Sequence, residues 1–392
     1  MLPRERVFAA LEHREPDRVP WGEHFIDYNV FEDILGRETL VHAKMKETQA
    51  LWDGRRDDVV ESYKRDVPDL TRALEMDIVT VCPVPPKGHQ PKPPEKLDHE
   101  TYRDDAGNLY RVSATTHDLM PYQRVPVTNY EPPGMENLQE QIDAIDGEPD
   151  PEPDPNDSTW EFVRHIVAEM KDTHFIALLS GDLGFPMFGP TEEEQYMSLL
   201  LDPERCKKLG ELWGKRIVKH AAFLAKLGVD GIIPCGDLGS STGMLASPEI
   251  YREMVYPWNK AHAAEAHKHG LKILKHCCGH VWPVIDELAE CYDAYEGIQA
   301  SAGMDIKALV ERVGDRLCLW GGIWHEHIIL GDEEDIRNDA RYSFEHAAPG
   351  GGYIMGSTHS LAVDAKAKNI LEMKRCRDEW GIYPIDPKRF TA

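Results

Sequence analysis

Two imidazoles and two thiols lie close together in the second half of the chain. They are His276, Cys277, Cys278 and His280, in the stretch KILKHCCGH that begins at Lys272. Histidine nitrogen and cysteine sulfur are ligands that zinc prefers, and two such residues separated by one position can chelate a single ion. The pattern therefore predicts metal chemistry. A buried thiol pair beside surface histidines is the alternative that this stretch alone leaves open.

The element before this stretch places it at the end of a strand. Residues 261–270 (AHAAEAHKHG) are typical of a helix that stops at glycine, and residues 271–274 are typical of a short buried strand. The imidazoles and thiols then follow the carboxyl end of that strand. In a barrel of alternating strands and helices, this is the face at which active sites lie.

Strands and helices alternate through most of the chain. The segments that we predict as strands are 19–26, 77–81, 175–180, 229–235, 271–275, 293–298, 317–322 and 351–355. Eight alternations of this kind predict an α/β fold, the (β/α)8 or TIM barrel. The alternative is a doubly wound open sheet, but no Gly-x-Gly-x-x-Gly motif occupies a strand-to-helix turn.

Residues 83–157 interrupt the alternation. Residues 83–94 are rich in proline and predict a loop, whereas residues 104–108 (DDAGN) are a hairpin signal between two alternating segments. Residues 148–157 (EPDPEPDPND) form an acidic, proline-rich linker. We interpret 83–157 as an inserted hairpin and loop region within a single domain that spans residues 1–392.

Composition narrows the class of protein. The chain has 392 residues, of which 41% are hydrophobic, and this is enough for a large core. A run of about 18 apolar residues is absent, so we expect no membrane span. The net charge of −25 disfavours nucleic acid and anionic membranes as partners. Eight unevenly spaced cysteines and a charged, helical N-terminus favour a reduced, cytoplasmic protein.

If the barrel forms, the residues just after each strand converge on one mouth. The polar and aromatic residues at these positions are Glu23, His24, Asp182, Asp237, His276, Cys278, Glu296, Gln299, Trp324, His325, Ser357 and His359. Glu296 stands out because a carboxylate in an apolar strand is costly without a partner. Asp182 and Asp237 are also of the type that caps helices. Histidine, cysteine and several carboxylates at one rim together favour a metal site.

Several short motifs carry a family resemblance. They are Asp237-Leu-Gly239, Ser247-Pro-Glu-Ile-Tyr-Arg252, His276-x-Cys278-Gly279, Gly303-Met-Asp305, Trp320-Gly-Gly-Ile323, Pro349-Gly-Gly-Gly-Tyr-Ile354 and Asn369-Ile-Leu-Glu-Met373. Together they resemble the uroporphyrinogen decarboxylase superfamily, from about residue 3 to 380 and most strongly from residue 229 onward. The resemblance implies a (β/α)8 barrel, in agreement with the strand count.

The superfamily contains two kinds of chemistry. True uroporphyrinogen decarboxylases need no cofactor and have an N-terminal Arg-Gln-Ala-Gly-Arg segment, but this chain has Pro20-Trp-Gly-Glu-His-Phe25 instead. The other branch, the cobamide-dependent methyltransferases, binds zinc through the His-x-Cys-Gly segment. Members that methylate thiols take a third ligand from a cysteine near the last strand. Around Gly352 this chain has none, which leaves His359, Glu23 and Glu296 as candidates.

The resemblance implies a zinc-dependent methyltransferase that acts on a small methoxylated compound such as an aryl methyl ether. Zinc would be held by His276, Cys278 and His359. The acid or orienting group would be Asp182, Asp237 or Glu296, and the predicted substrate-binding residues are Trp21, Glu23, Tyr28, Gln299 and Trp324. The motif Asp-x-His-x-x-Gly is absent, so the corrinoid (cobalamin) acceptor must arrive on a partner protein.

Two alternatives to this function remain open. One is a cofactor-free decarboxylase in which Asp182 or Asp237 holds pyrrole N–H groups. The other is a binding protein that has kept the barrel without its chemistry. For the methyltransferase, the acidic linker 148–157 would favour a partner with a basic docking face, because complementary charge accelerates association. The sequence leaves the oligomeric state open, a homodimer included.

Overall fold

The structure, a computed structural model, describes residues 1–390. Its strands are β1 (Ile78–Val81), β2 (Glu95–Lys96), β3 (Thr101–Arg103), β4 (Leu109–Val112), β5 (Leu119–Gln123), β6 (Phe175–Ser180), β7 (Gly231–Pro234), β8 (Lys272–His276), β9 (Ala294–Glu296), β10 (Cys318–Ile323) and β11 (Tyr353–Ser357). Its helices are α1 (Pro3–Leu11), α2 (Tyr28–Leu35), α3 (Met45–Trp52), α4 (Arg56–Leu74), α5 (Met135–Gly147), α6 (Glu161–Met170), α7 (Glu192–Leu201), α8 (Pro203–Lys226), α9 (Pro248–Met254), α10 (Tyr256–Lys268), α11 (Ile285–Cys291), α12 (Ile306–Val313), α13 (His325–Ile329), α14 (Glu333–His346) and α15 (Ala367–Trp380).

Seven strands form one parallel sheet. Its order is β1-β6-β7-β8-β9-β10-β11, so each strand lies beside the one that precedes it among the seven. Helices connect these strands on the outside of the sheet. Because every strand points the same way, the carboxyl ends of all seven lie at one rim.

Residues 20–23, the closing segment, complete the barrel between β11 and β1. Met355 N–H donates to Pro20 O at 2.8 Å, and Asp77 N–H donates to Trp21 O at 2.7 Å. Gly22 N–H returns a bond to Met355 O at 3.2 Å. The closing segment therefore takes the place of the first predicted strand, and the predicted (β/α)8 barrel is confirmed.

Apolar side chains fill the barrel from its amino end. The interior cluster contains Ile78, Phe175, Ile233, Leu274, Ala294, Cys318, Trp320 and Ile354, one or two from each strand. Helix α1 belongs to the same cluster through Val7, Ala10 and Leu11, and it covers the amino ends of the strands. The opposite end of the barrel carries the polar residues.

The inserted segment contains a small antiparallel sheet. Its order is β2-β3-β4-β5, and Arg103 pairs with Leu109 on either side of the predicted hairpin turn. The sheet contacts the mouth side of the barrel, because Tyr28 Oη lies 2.9 Å from His117 Nδ1 and Met45 N–H donates to His117 O. Strand β5 begins next to this contact and is the outer edge of the sheet.

The acidic linker 148–157 lies elsewhere. It comes after α5 in the chain and runs alongside α8. Lys226 Nζ of α8 is 2.6 Å from Glu152 Oε1 of the linker, and Lys219 Nζ of α8 is 2.8 Å from Ile145 O of α5. Since α8 leads into β7, its C-terminal half lies towards the amino ends of the strands. The linker therefore lies beside the barrel, away from the mouth, and its expected attraction of a basic partner stays a prediction.

Within residues 1–390, no helix combines the length and the apolar character that crossing a bilayer requires.

Candidate functional site

The carboxyl ends of β8, β9, β11 and the closing segment bring histidine, cysteine and glutamate together. His276 and Glu296 are the last residues of β8 and β9, and they lie opposite each other in the pairing of those strands. His24 follows the closing segment, and His359 follows β11 by two residues. Cys278 comes two residues after His276. The barrel thus gathers these five residues from distant parts of the sequence.

The carboxylate of Glu296 bridges the Nδ1 atoms of two imidazoles. Its Oε1 is 3.0 Å from His24 Nδ1, and its Oε2 hydrogen bonds to His276 Nδ1. The two imidazole rings stack with their centroids 4.1 Å apart. All three side chains are buried. A carboxylate that holds Nδ1 of a histidine fixes the ring and leaves Nε2 for a metal ion.

The charges of this group follow from the same contacts. Burial alone would raise the pKa of Glu296, but the His24 and His276 imidazoles outweigh burial and hold that pKa below its usual range. Burial lowers the pKa of His24. Burial also acts to lower the pKa of His276, but Glu296 reverses the direction and raises it. Glu296 is therefore a carboxylate that accepts from both rings.

His276, Cys278 and His359 form what we call the ligand cluster. Each offers one ligand atom, and these atoms lie within 4.8 Å of one another. Cys278 Sγ is 3.5 Å from His276 Nε2. In tetrahedral zinc coordination the nitrogen and sulfur of two ligands are about 3.6 Å apart, since the Zn–N and Zn–S bonds are about 2.1 and 2.3 Å. The spacing of the two side chains thus suits zinc without rearrangement.

His359 is held in the form that binds metal. Its Nδ1 is 2.8 Å from Ser360 Oγ, which leaves Nε2 available. Burial lowers its pKa to about 4, and the neighbouring imidazoles of His24, His276 and His325 act in the same direction. The ring is therefore neutral at pH 7, as a metal-binding histidine must be.

Cys278 is positioned by the loops after β7 and β9. Its backbone N–H donates to Asp237 Oδ1 at 2.8 Å, and the next N–H, of Gly279, donates to Gln299 Oε1 at 3.0 Å. Gly279 has φ +81°, and a Cβ there would collide with the backbone of Gly239. Glycine at position 279 thus lets the loops after β7 and β8 come into contact.

Cys278 and Cys277 have different surroundings. Burial, followed by the carboxylates of Asp237 and Glu296, raises the pKa of the Cys278 thiol, so a thiolate there requires a compensating cation. Cys277 is fully buried and its Sγ accepts from Leu238 N–H at 3.3 Å. We therefore assign Cys277 to packing.

Asp182 does not face the mouth. Its carboxylate forms an ion pair with Lys275 Nζ, and the two side chains are 3% and 0% exposed. Lys275 also donates to Gly236 O at 2.6 Å. Because Asp182 is sealed against an ammonium group, it does not suit the predicted role of acid or orienter. We assign it, with Lys275, to fixing the loops after β6 and β7.

Trp21 and Glu23 belong to the scaffold and not to a substrate wall. Trp21 is fully buried, and its Nε1 donates to Glu23 Oε1 at 2.8 Å. Ser357 donates to Glu23 through its backbone N–H at 3.1 Å and its hydroxyl at 2.5 Å. Burial raises the pKa of Glu23 to about 8. A saturated, largely protonated carboxyl is a poor metal ligand, so we withdraw Glu23 as the third ligand.

The other predicted substrate residues lie at the rim but apart from one another. Tyr28 contacts His117 of the insertion, as described above, and Gln299 holds the backbone of Gly279. Trp324 is half-buried and stacks on His327, with ring centroids 5.1 Å apart. Its ring lines a cavity between α12 and α14, so we remove Trp324 from the wall of the metal site.

The space behind His24 is too small for a substrate. An apolar cavity of about 30 Å³ lies there, lined by residues such as Phe31, Leu70 and Phe162. A cavity of this size admits about two water molecules. A substrate must therefore approach the ligand cluster from the open mouth.

Sequence reasoning missed the roles of His24 and Lys275. The sequence predicts His24 at the mouth without a partner and Lys275 within a strand. A signal was present for each pair: Glu296 is a carboxylate in an apolar strand, and Lys275 is a lysine in a buried strand. Neither signal identifies the partner, because the partners are 272 and 93 positions away.

The sequence matches the family described as Uroporphyrinogen decarboxylase (URO-D) over residues 131–380. The match includes the strands from β6 to β11 and every residue of the ligand cluster. No curated protein matches the sequence.

Solved structures include a barrel of similar extent. A methyltransferase from Methanosarcina mazei is 14% identical, with a TM-score of 0.64, over 97% of this chain and 99% of that chain. At this identity the similarity concerns the fold. A 3-keto-D-glucoside 4-epimerase from E. coli is 13% identical over 55% of this chain and 84% of that chain, with a TM-score of 0.32. A chitinase from Chromobacterium violaceum is 8% identical over 58% and 86%, with a TM-score of 0.35.

Proposed function

Because the chain belongs to the uroporphyrinogen decarboxylase family, we propose that it is an enzyme of the methyltransferase kind found in that family. It moves a methyl group from a small methoxylated donor, such as an aryl methyl ether, to the Co(I) corrinoid of a partner protein. The observation that carries this proposal is the ligand cluster at the mouth, backed by Glu296. The similarity in fold to the methyltransferase from Methanosarcina mazei is consistent with it.

His276, Cys278 and His359 are the residues that would hold zinc. The donor set of two nitrogens and one sulfur is one that zinc accepts, and it would leave a fourth position for a substrate, as in catalytic zinc sites. When bound there, zinc supplies a Lewis acid for the donor oxygen, which needs one because an alkoxide or phenoxide is a poor leaving group.

The protein's own residues prepare this position. Glu296 fixes the ring of His276 with Nε2 directed to the ligand cluster, and Asp237 orients the backbone of Cys278. Gln299 holds the following peptide, so the turn that carries the sulfur is tied at two points. Preorganisation of this kind avoids rearranging ligands during the reaction.

A metal-free decarboxylase is the alternative, and the surroundings of the carboxylates count against it. That reaction would use Asp182 or Asp237 to hold pyrrole N–H groups. Asp182 is paired with Lys275, and Asp237 already accepts from Cys278 N–H. A substrate with several carboxylates would also meet a chain of net charge −25.

The test of the proposed function uses the zinc-loaded protein, a reduced corrinoid protein and a panel of methoxylated compounds. Methylation of the corrinoid changes its visible spectrum, and we expect this change with at least one aryl methyl ether. Zinc at about one ion per chain should accompany the activity. A metal-free protein that decarboxylates a tetrapyrrole or another small acid would overturn the proposal.

The Glu296→Gln variant should bind zinc about 10–100-fold more weakly than the wild type. The expected loss has the size that is typical when the hydrogen-bond partner of a metal-binding histidine is removed. Glutamine can accept from only one of the two Nδ1–H groups and presents an amide N–H to the other. Competition with a chelator of known affinity measures the change.

Glu23→Gln is the matched control, because Glu23 is equally buried at the same end of the barrel. Burial raises its pKa to about 8, so glutamine resembles the protonated acid that is present at pH 7. We expect its zinc affinity to stay within a few-fold of wild type. Equal losses in both variants would mean that Glu296 acts only through folding.

Replacing both Met120 and Tyr122 with serine should slow methyl transfer to the corrinoid protein by about tenfold. This is the loss expected when exposed anchor side chains are removed from an interface. The two side chains are 47% and 57% exposed on the edge strand β5, which begins next to the contact between the insertion and the mouth. Rates with the corrinoid protein and with free cobalamin are compared.

The variant with serine at Met120 and Tyr122 should transfer methyl groups to free cobalamin at the wild-type rate, because free cobalamin needs no protein interface. Leu371→Ser provides the control, since Leu371 is 48% exposed on the outer helix α15. If the edge-strand variant behaves like Leu371→Ser with both acceptors, the partner does not dock on β5.

A further inference from the structure

A second cavity lies outside the ring of strands. It has a volume of about 300 Å³ and lies between α12, α14 and the carboxyl ends of β9 and β10. Ile298, Met304 and Ile306 provide apolar walls. The aromatic and polar part of its lining includes Trp324, His327, Asp339 and Tyr342.

One oxygen of Asp339 has no partner. The side chain is 8% exposed, and its Oδ2 accepts from Trp324 N–H at 2.9 Å and lies 2.8 Å from His327 Nδ1. Asp339 Oδ1 makes no hydrogen bond to any residue of the described chain, and the residue lines the cavity. This oxygen stays accessible to solvent and is free to pair with a cationic ligand.

The sign of the charge in the cavity is negative. Asp339 contributes one carboxylate, whose Oδ2 lies beside His327 Nδ1. Asp305, at the start of α12, adds a second carboxylate and accepts from Tyr342 Oη at 2.8 Å. Among the described residues that line this cavity, none is a lysine or an arginine.

Two aromatic rings complete the lining. Trp324 is held in place by its stacking on His327, with an interplanar angle of 7°. Tyr342 is 40% exposed and is tied to Asp305. Aromatic faces attract cations, and the interaction is strongest for tryptophan. Fixed rings beside a carboxylate therefore favour a positively charged guest with an apolar body.

We propose that this cavity binds a small organic cation, an ammonium group on an apolar body. The cation contacts Asp339 Oδ1 and the faces of Trp324 and Tyr342, while its apolar part fills the space beside Ile298, Met304 and Ile306. The site is separate from the ligand cluster, although Thr358, the neighbour of His359, also lines the cavity. It does not depend on the methyl-transfer function proposed above.

Calorimetric titration of the full-length protein tests this site. Choline is the probe, and 3,3-dimethylbutan-1-ol is its uncharged analogue of the same shape. We expect choline to bind and the alcohol to bind at least about tenfold more weakly, because it lacks the charge that the carboxylate and the rings attract. Equal binding of the two probes, or no binding of choline at millimolar concentration, would overturn the proposal.

Asp339→Asn should weaken choline binding at least about tenfold, the effect of removing a charged partner. Asparagine keeps an oxygen for Trp324 N–H and His327. The control is Glu334→Gln on the same helix, whose carboxylate is exposed and pairs with Arg337; it should bind choline like wild type. Unchanged affinity in Asp339→Asn would remove the carboxylate from the site.

A second variant covers the case in which Asp339→Asn fails to fold. Tyr342→Ala removes a ring at a partly exposed position, so the fold should tolerate it. We expect choline to bind it several-fold more weakly, whereas the alcohol should change less. A Tyr342→Ala protein that binds choline like wild type would contradict the aromatic part of the site. None of these measurements needs zinc or a corrinoid, so their failure is distinct from failure of the proposed function.

Discussion

Replacing Cys278 with serine is expected to lower the zinc content from about one ion per chain to near zero and to reduce methyl transfer by about 100-fold or more. The reason is that a thiolate and an imidazole 3.5 Å apart chelate one ion, and an alcohol cannot replace the thiolate. Metal analysis after dialysis and the corrinoid assay measure both quantities on the same preparation.

Cys277→Ala is the control, since Cys277 lies next in sequence but is buried in the core with its sulfur on Leu238 N–H. It should keep its zinc and lose only some stability. A Cys278→Ser protein that retains full zinc would show that the site is misplaced, and equal losses in the two variants would indicate a structural thiol pair. The same metal analysis on His359→Ala tests the third ligand.

Replacing Lys275 with methionine is expected to lower the free energy of unfolding by about 3–5 kcal/mol, the range for removing one partner of a buried ion pair. Asp182 is 3% exposed, so its carboxylate would stay buried without a counter-charge. Gly236 O would lose its donor as well. Chemical denaturation followed by tryptophan fluorescence measures the change.

Two further variants identify the cause of that loss. The double variant Lys275→Met/Asp182→Leu removes both charges, and it should recover much of the stability because no ion is left unpaired. Lys368→Met breaks the pair with Glu333, whose side chains are 53% and 39% exposed, and should cost less than about 1 kcal/mol. If Lys275→Met loses no more than Lys368→Met, the buried pair does not stabilise the fold.

The barrel could be predicted because its signals are local. Each strand is a short apolar run between helical patterns, and the hairpin turn before Leu109 is a cluster of turn-forming residues. Periodicity reports such features directly. The position of the linker 148–157 could not be predicted in the same way, because its charges pair with lysines on α8, some 70 residues later.

The site was harder to predict for a related reason. His276 and Cys278 are neighbours in sequence, so their spacing alone suggested chelation. The partnership of Glu296 with His24 needs the barrel to close first. Asp182 was an acid at a strand end like Asp237, and only the position of Lys275 distinguishes their roles. A strand pattern also does not tell which face will be covered. It therefore predicts Trp21 at the mouth, although that side chain is fully buried.

The barrel is closed by residues from opposite ends of the chain, and this affects the order in which it can form. Glu23 and Ser357 are hydrogen bonded although they are 334 positions apart, and Val19 N–H donates to Gly381 O. During synthesis on the ribosome, residues 20–23 have no partner on one side until most of the chain has been made. The Glu23 carboxyl stays hydrated until Ser357 arrives, and the edge of residues 20–23 that faces β11 stays open to pairing with other chains. Protection of the earliest part of the barrel therefore depends on the last strand to be translated.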